Sequence, residues 1–145
     1  MVCLQCNGEK FKVKKVITQS RVRGEKVAIK SPAHVCAHCG FVLMNVEQMR
    51  DLRKLGADTY RKKHHLLTSQ QIIAYRKKMG MTQVEFAHYL HVGEASVKRW
   101  ETYWVQDPVQ DEHIRIKCDK KYAEKNLKEI ERLVSHNTGF EMAFA

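Results

Sequence analysis

The sequence predicts an α+β fold that is mostly helical, with a small N-terminal module built on a β-hairpin ahead of an all-α domain. Three observations predict it: two Cys-x-x-Cys pairs within the first forty residues, alternating apolar residues between them, and helical periodicity from residue 69 to about residue 134. We expect the domains to span residues 1–65 and 66–145, with a linker near the end of the first.

The region between the cysteine pairs is expected to form short strands. Phe11 and Val13, and then Val27 and Ile29, alternate with charged or small residues on either side of a turn near Gly24. This pattern is typical of a hairpin held between two metal-binding turns.

A short helix is expected to close this module. Asn45 can cap the helix, apolar residues follow at helical spacing over residues 46–55, and Gly56 would end it. The next stretch, residues 57–67, contains Arg61 and other basic residues with little apolar periodicity, so we predict the interdomain linker there.

Four of the five cysteines form two pairs, Cys3 with Cys6 and Cys36 with Cys39. At this spacing two thiolates of one tight turn reach the same ion at about 2.3 Å, and two such pairs complete a tetrahedron. Four thiolates leave no open coordination position, so we predict an N-terminal zinc module with one structural zinc ion per chain. A redox dithiol and a rubredoxin-like iron site are the competing interpretations.

The residues around the pairs favour a metal site. Gly8 and Gly40 allow the tight backbone that a metal-binding turn needs. His34 and His38 lie beside the second pair and, with four thiolates present, are expected to face solvent or to support the ligands. Cys118 stands alone, and we expect it to be a half-buried structural thiol.

Residues 81–101 have the pattern of a repressor-type helix-turn-helix. Thr82 and Glu85 form a capping box at the start of the first helix, and a short turn at residues 91–93 leads into the second. The residues expected to face inward are apolar: Phe86, Ala87, Leu90, Val97 and Trp100.

In this motif the second helix enters the major groove of DNA, where its first residues contact base edges. We expect Gln83 and Lys98 to contact phosphate and Arg99 to bond both acceptors of a guanine. The predicted DNA-binding residues lie at the start of the first helix and on the outward face of the second: Thr82, Gln83, Glu94, Ala95, Ser96, Lys98 and Arg99. An ordinary helical hairpin with a solvated charged face is the alternative.

Two further helices are expected after the motif, from apolar residues that suit a core or a dimer surface: Ile114, Ile116, Cys118, Tyr122, Leu127, Ile130 and Leu133. The tail, residues 135–145, has Asn137 and Gly139 before Phe140, Met142 and Phe144. We expect it to be frayed or to dock a partner.

The net charge of +10 favours a polyanionic partner such as nucleic acid. Residues 1–65 contain 14 Lys and Arg against 5 Asp and Glu, a net charge of +9, whereas residues 66–145 contain 12 against 11, a net charge of +1. The basic excess therefore lies outside the helix-turn-helix.

The composition also argues against other classes of protein. No stretch approaches the roughly 20 apolar residues of a membrane span, and the first residues do not form a signal peptide, so we expect a cytoplasmic protein with no membrane partner. No catalytic triad order, glycine-rich phosphate loop or open metal site is found, so we expect that it is not an enzyme.

The chain resembles the MqsA-type antitoxins, in which a YgiT-type zinc finger precedes a helix-turn-helix of the HigA and Xre kind. The resemblance covers roughly residues 1–103. It is carried by Cys3-x-x-Cys6, Cys36-x-x-Cys39, the step from Met44-Asn45 into a helix, and the passage from Lys77-Lys78 to Thr82-Gln83.

The resemblance implies a type II antitoxin. Its zinc domain would neutralise a cognate toxin, commonly an mRNA-cleaving ribonuclease, and its paired C-terminal domains would bind an operator palindrome as a homodimer and repress their own operon. The family's base-contacting Asn corresponds to Ala95 and its Arg to Arg99, so the DNA preference must differ. A stand-alone zinc-containing helix-turn-helix regulator is the alternative.

Overall fold

A computed structural model describes residues 1–137 of the chain. In that part the fold is α+β and mostly helical, with an N-terminal antiparallel hairpin, which confirms the predicted fold class. Its elements are β1 (Phe11–Val22), β2 (Glu25–Cys36), β3 (Val42–Leu43), α1 (Val46–Lys63), α2 (Ser69–Lys78), α3 (Gln83–Leu90), α4 (Glu94–Trp100), α5 (Pro108–Cys118) and α6 (Lys120–Ser135).

The chain forms two compact units. The first unit contains Met1–Gln70 together with Arg99–Val105. The second contains Gln71–Lys98 and the described part of the chain from Gln106 onward. The last two residues of α4, Arg99 and Trp100, therefore belong to the first unit, although most of that unit lies much earlier in the sequence.

The hairpin in the first unit is longer than expected, because both of its strands have 12 residues. Arg23 and Gly24 form its turn with φ of 50° and 80°, the two positive angles of a tight hairpin turn. Val27 is buried against α1, whereas Val13 pairs with His34 on the open face of the sheet and is 63% exposed. The expectation of short strands was therefore wrong.

Helix α1 begins where predicted but does not end at Gly56. Asn45 caps it, and Asn45 and Gln48 complete a capping box. A Cβ atom on Gly56 would lie only 2.9 Å from Cδ1 of Ile29, so α1 approaches β2 closely at this glycine, and a larger residue would displace the end of the Ile29 side chain. The glycine marks helix-to-strand packing, and its interpretation as a helix stop was wrong.

The predicted linker is also largely helical. Residues 57–63 continue α1, and Ala57 and Arg61 are buried within it. The basic residues of this stretch predicted a linker. Arg61 is buried instead, and a buried arginine needs a local partner for its charge, so this stretch is part of the packed structure. The helix is followed by a turn at His64 and His65 before α2.

The second unit is helical, and α5 and α6 are the two further helices that the sequence predicts. Ile114 of α5 is buried, whereas no residue of α6 is, and Leu127 and Leu133 are about half exposed. Among the described residues, no helix combines the length and apolar character of a membrane-spanning segment. The predicted tail residues Phe140, Met142 and Phe144 lie outside the described residues.

Candidate metal centre and candidate nucleic-acid interface

The first cysteine turn is closed by backbone hydrogen bonds. The Asn7 N–H donates to the Cys3 carbonyl at 2.9 Å, and the Cys3 N–H donates to the Gly8 carbonyl at 2.8 Å. Asn7 has a φ of 60°, a conformation that asparagine tolerates better than most residues. Gly8 provides space, because a Cβ atom there would lie 3.3 Å from Cys6 Sγ.

The second cysteine turn repeats the first. The Gly40 N–H donates to the Cys36 carbonyl at 3.0 Å, and the Cys36 N–H donates to the Phe41 carbonyl at 2.9 Å. Gly40 has a φ of 78° at the position that Asn7 occupies in the first turn. Asn7 therefore takes the left-handed conformation in the first turn, and Gly40 takes it in the second. Gly8 instead leaves space beside Cys6, so the two glycines have different roles.

The two turns bring four sulfur atoms together. Cys3 Sγ lies 3.5 Å from Cys39 Sγ, and Cys6 Sγ lies 3.6 Å from Cys36 Sγ. All four sulfurs lie within 4.8 Å of one another. A tetrahedron of thiolates about 2.3 Å from an ion has edges of about 3.8 Å, so these four cysteines can hold a metal ion.

The pKa values of the clustered cysteines favour the binding of a cation. Hydrogen bonds from the backbone N–H groups of Cys39 and His38 lower the pKa of Cys36 to about 6. Although the Gly8 N–H acts in the opposite direction, desolvation and the neighbouring sulfurs raise the pKa of Cys6 to about 12. One thiol ionises readily and another retains its proton, so metal binding would release protons from the cluster.

The neighbouring histidines and the fifth cysteine lie outside this cluster. His34 Nδ1 is 2.9 Å from Oε1 of Gln48, a member of the α1 capping box, and His38 is exposed. Burial raises the pKa of Cys118 to about 11, which keeps this thiol protonated and unreactive at neutral pH.

The local signals of the helix-turn-helix are present in the structure. Thr82 Oγ1 accepts the Glu85 N–H at 3.2 Å, and Glu85 Oε2 accepts the Thr82 N–H at 2.7 Å, which confirms the capping box. His91 ends α3 with a φ of 57° and turns the chain toward α4. The residues predicted to face inward are all buried: Phe86, Ala87, Leu90, Val97 and Trp100.

The predicted DNA-contacting residues lie on α4 and at the start of α3. Thr82 is the exposed cap, and Gln83 is the half-buried first residue of α3. On α4, Ser96 is half-buried, whereas the remaining predicted residues are exposed: Glu94, Ala95, Lys98 and Arg99. Lys98 Nζ lies 2.8 Å from Glu94 Oε1, so this ammonium already has a carboxylate partner.

Sequence reasoning missed the role of Arg61, which is fully buried. Its Nη2 donates to the carbonyls of Trp100 at 2.8 Å and Trp104 at 2.9 Å, and its Nη1 to that of Thr102 at 3.1 Å. Asp58 Oδ1, 2.9 Å from Nη1, balances the charge. The i, i+3 spacing of Asp58 and Arg61 was the only signal in the sequence, and it does not reveal the carbonyls.

No protein-family model matches this chain, and no curated protein matches it either. The resemblance to MqsA-type antitoxins therefore remains a prediction that depends on the cysteine spacing and the helix-turn-helix pattern.

Proposed function

We propose that this protein is a zinc-containing, DNA-binding antitoxin that acts in the cytoplasm, neutralises a cognate toxin and represses its own operon. The DNA-binding part of the proposal depends on α4. Two of its residues, Val97 and Trp100, are buried, whereas Glu94, Ala95, Lys98 and Arg99 are exposed. A helix so placed can enter a major groove with its outward side chains against the bases.

Zinc is the ion that suits the four-cysteine cluster. Four thiolates at tetrahedral separations satisfy zinc completely and leave no position for substrate or water. The ion would therefore stabilise the first unit, and the protein would have no catalytic metal. Purified protein should contain one equivalent of zinc per chain by elemental analysis, and an equivalent of iron instead would contradict the assignment.

Arg99 is the proposed base-reading residue, because a guanidinium can donate to both guanine acceptors at once. Arg99→Ala should weaken binding to operator DNA by ~1–3 kcal/mol while changing binding to random DNA little. Gln83→Ala should weaken binding to both DNAs alike, since a phosphate contact carries no sequence information. Equal losses on both DNAs for Arg99→Ala would remove its base-reading role.

A homodimer formed through the C-terminal unit would bind the two halves of an operator palindrome. The exposed apolar residues of α6 recur at intervals of three and four: Leu127, Ile130 and Val134. Such a stripe is what a partner helix covers. Leu127→Glu together with Ile130→Glu should convert a sedimenting dimer to a monomer, whereas Lys125→Glu, a change of similar charge elsewhere on α6, should not.

The toxin is proposed to be an mRNA-cleaving ribonuclease that binds the metal-containing unit. The +9 charge of residues 1–65 requires an acidic face on that toxin, since a basic surface would be repelled. The same charge favours the alternative function, a stand-alone regulator whose basic module contacts nucleic acid.

Co-expression with the adjacent small reading frame separates these two functions. A neighbour that arrests growth when expressed alone, and that forms a stable complex with this chain when growth is restored, would establish an antitoxin. A harmless neighbour that does not bind would establish the stand-alone regulator. Cys36→Ser in the same assay tests whether the folded metal module is needed for neutralisation.

A further inference from the structure

The turn that follows α4 is held in one arrangement by its own backbone. The Thr102 and Trp104 N–H groups both donate to the Arg99 carbonyl, at 3.1 and 3.2 Å. The Thr102 hydroxyl donates to the same carbonyl at 2.9 Å. The last carbonyl groups of a helix usually lack partners, and here one of them has three donors.

Arg61 holds the same turn from the side of α1 through the carbonyls of Trp100, Thr102 and Trp104. Asp58 is fixed in turn, because its Oδ1 and Oδ2 accept the backbone N–H and the hydroxyl of Ser69 at 2.8 and 2.7 Å. A buried, fully hydrogen-bonded charge of this kind tolerates little displacement of its partners. The backbone of Trp104 therefore has a defined position.

The side chain of Trp104 is unusual for a tryptophan, because it is 59% exposed. The Arg99 guanidinium carbon lies 5.9 Å from the centre of its ring, within the ~6 Å over which a cation is attracted to an aromatic face. The Tyr103 ring stacks beside it, with centres 6.2 Å apart. An indole on a fixed backbone, stacked by Tyr103, therefore lies within cation–π distance of the proposed base-reading side chain.

We propose that Trp104 is a positioning residue for base recognition: its indole face holds the Arg99 guanidinium ready for a guanine of double-stranded DNA, and Arg61 holds the backbone of Trp104. This inference rests on the proposed DNA-binding function and adds a specificity-determining residue outside the helix-turn-helix motif. Arginine loses considerable side-chain freedom when it binds a base, and a guanidinium that is already restricted loses less.

The test measures a ratio of affinities, since restricting Arg99 should favour correct over incorrect sequences. The probes are the duplex most enriched from a random-sequence library by the wild-type protein, and a scrambled duplex of the same composition. Trp104→Ala should lower the ratio of the two affinities by roughly two- to tenfold, and Trp104→Phe should retain most of it. The side chain is exposed, so neither variant should unfold the protein.

A double-mutant cycle separates positioning from direct contact. In the Arg99→Ala background, Trp104→Ala should lower the ratio no further, because the side chain that it positions is absent. A further loss of the same size in that background would mean that Trp104 acts independently of Arg99, and would overturn the proposal. Tyr103→Ala removes the ring that stacks on Trp104 and leaves the indole itself present, so it should lower the ratio by less than Trp104→Ala does.

Arg61→Met tests the second part of the proposal. This variant should lower both the thermal midpoint and the affinity ratio. In the Arg99→Ala background it should still lower the thermal midpoint but should no longer change the ratio. If Arg99→Ala itself leaves the ratio unchanged, the base-reading role under the proposed function fails. If Arg99→Ala lowers the ratio and Trp104→Ala does not, only the positioning role fails.

Discussion

The two units differ in what can stabilise them. In the first unit the hairpin and α1 enclose an apolar cluster of Val27, Ile29 and Leu52, and further apolar residues are buried elsewhere in it: Ala33, Ala57, Leu67 and Trp100. The second unit buries apolar residues from four of its helices: Ile72, Phe86, Ala87, Leu90, Val97 and Ile114. Among the described residues, only the first unit also contains a cysteine cluster that can hold a metal ion. Under the proposed function, apolar packing therefore stabilises both units, and the ion adds stability to the first alone.

Removing one thiolate should produce the largest effect and should affect the first unit. Cys36→Ser should release the metal, because a tetrahedral zinc site that loses one of its four thiolates binds the ion more weakly. The apparent binding free energy of ~10–16 kcal/mol is part of the folding free energy, so loss of the ion should unfold the hairpin. Amide exchange should become fast in β1 and β2 while the amides of α3 remain protected. Cys118→Ser is the control and should retain the metal; retention of a full metal equivalent in Cys36→Ser would contradict the ligand set.

Removing a core side chain from the second unit should give the converse result. Phe86 is fully buried, so Phe86→Ala should lower the free energy of unfolding of this unit by ~3–5 kcal/mol through lost burial and the cavity that remains. Urea unfolding followed by helical circular dichroism measures the loss. The metal content should stay at one equivalent, and loss of the ion in this variant would contradict separate sources of stability.

Adding a methyl group at Gly56 tests how freely the apolar cluster of the first unit can adjust. The new Cβ would lie 2.9 Å from Ile29 Cδ1, the end of a side chain that can move, so the cost lies near the low end of the ~1–3 kcal/mol of overpacking. Alanine contributes ~1 kcal/mol to a helix and offsets most of that cost, so Gly56→Ala should lower the thermal midpoint of the metal-bound protein only slightly. Asp51→Ala, at an exposed position on the same helix, is the control, and a loss of more than ~2 kcal/mol in Gly56→Ala would show that the Ile29 contact cannot relax.

The smallest effect is a pH dependence in the second unit. Asp119 caps α6: its Oδ1 accepts the Tyr122 N–H and its Oδ2 the Tyr75 hydroxyl, both at 3.1 Å. The Tyr122 N–H and then the Tyr75 hydroxyl lower the pKa of Asp119 below its ordinary value of 3.8. A lowered pKa stabilises the fold above pH 3.8, and this contribution disappears as the pH falls through the pKa of the folded protein.

Asp119→Asn retains a capping side chain but cannot titrate, so the advantage of wild type over this variant in thermal midpoint should shrink between pH 6 and pH 3. Comparing the two proteins at each pH cancels the loss of metal that acid also causes. The same difference at both pH values would contradict a titrating cap.

The parts that sequence reasoning predicted correctly depend on neighbours in the chain. Asn45 with Gln48 and Thr82 with Glu85 are three residues apart, so their capping boxes can be recognised without a tertiary structure. The two cysteine turns are equally local, and a shared ion requires little more than a hairpin that returns the second turn to the first. The α4 face was predictable for the same reason, since Val97 and Trp100 alone set the orientation of the helix.

The sequence by itself determined the fold class, the clustering of the four cysteines, and the two helices and turn of the helix-turn-helix. Helix periods, caps and Cys-x-x-Cys turns are set by spacings of a few residues. Only the tertiary structure decided that α1 runs through Gly56 and that Arg61 is buried, because these depend on Ile29 and on carbonyls about forty residues away. A glycine can end a helix or allow close packing, and an arginine can lie in a linker or be buried. The residues that pack against each one decide which role applies.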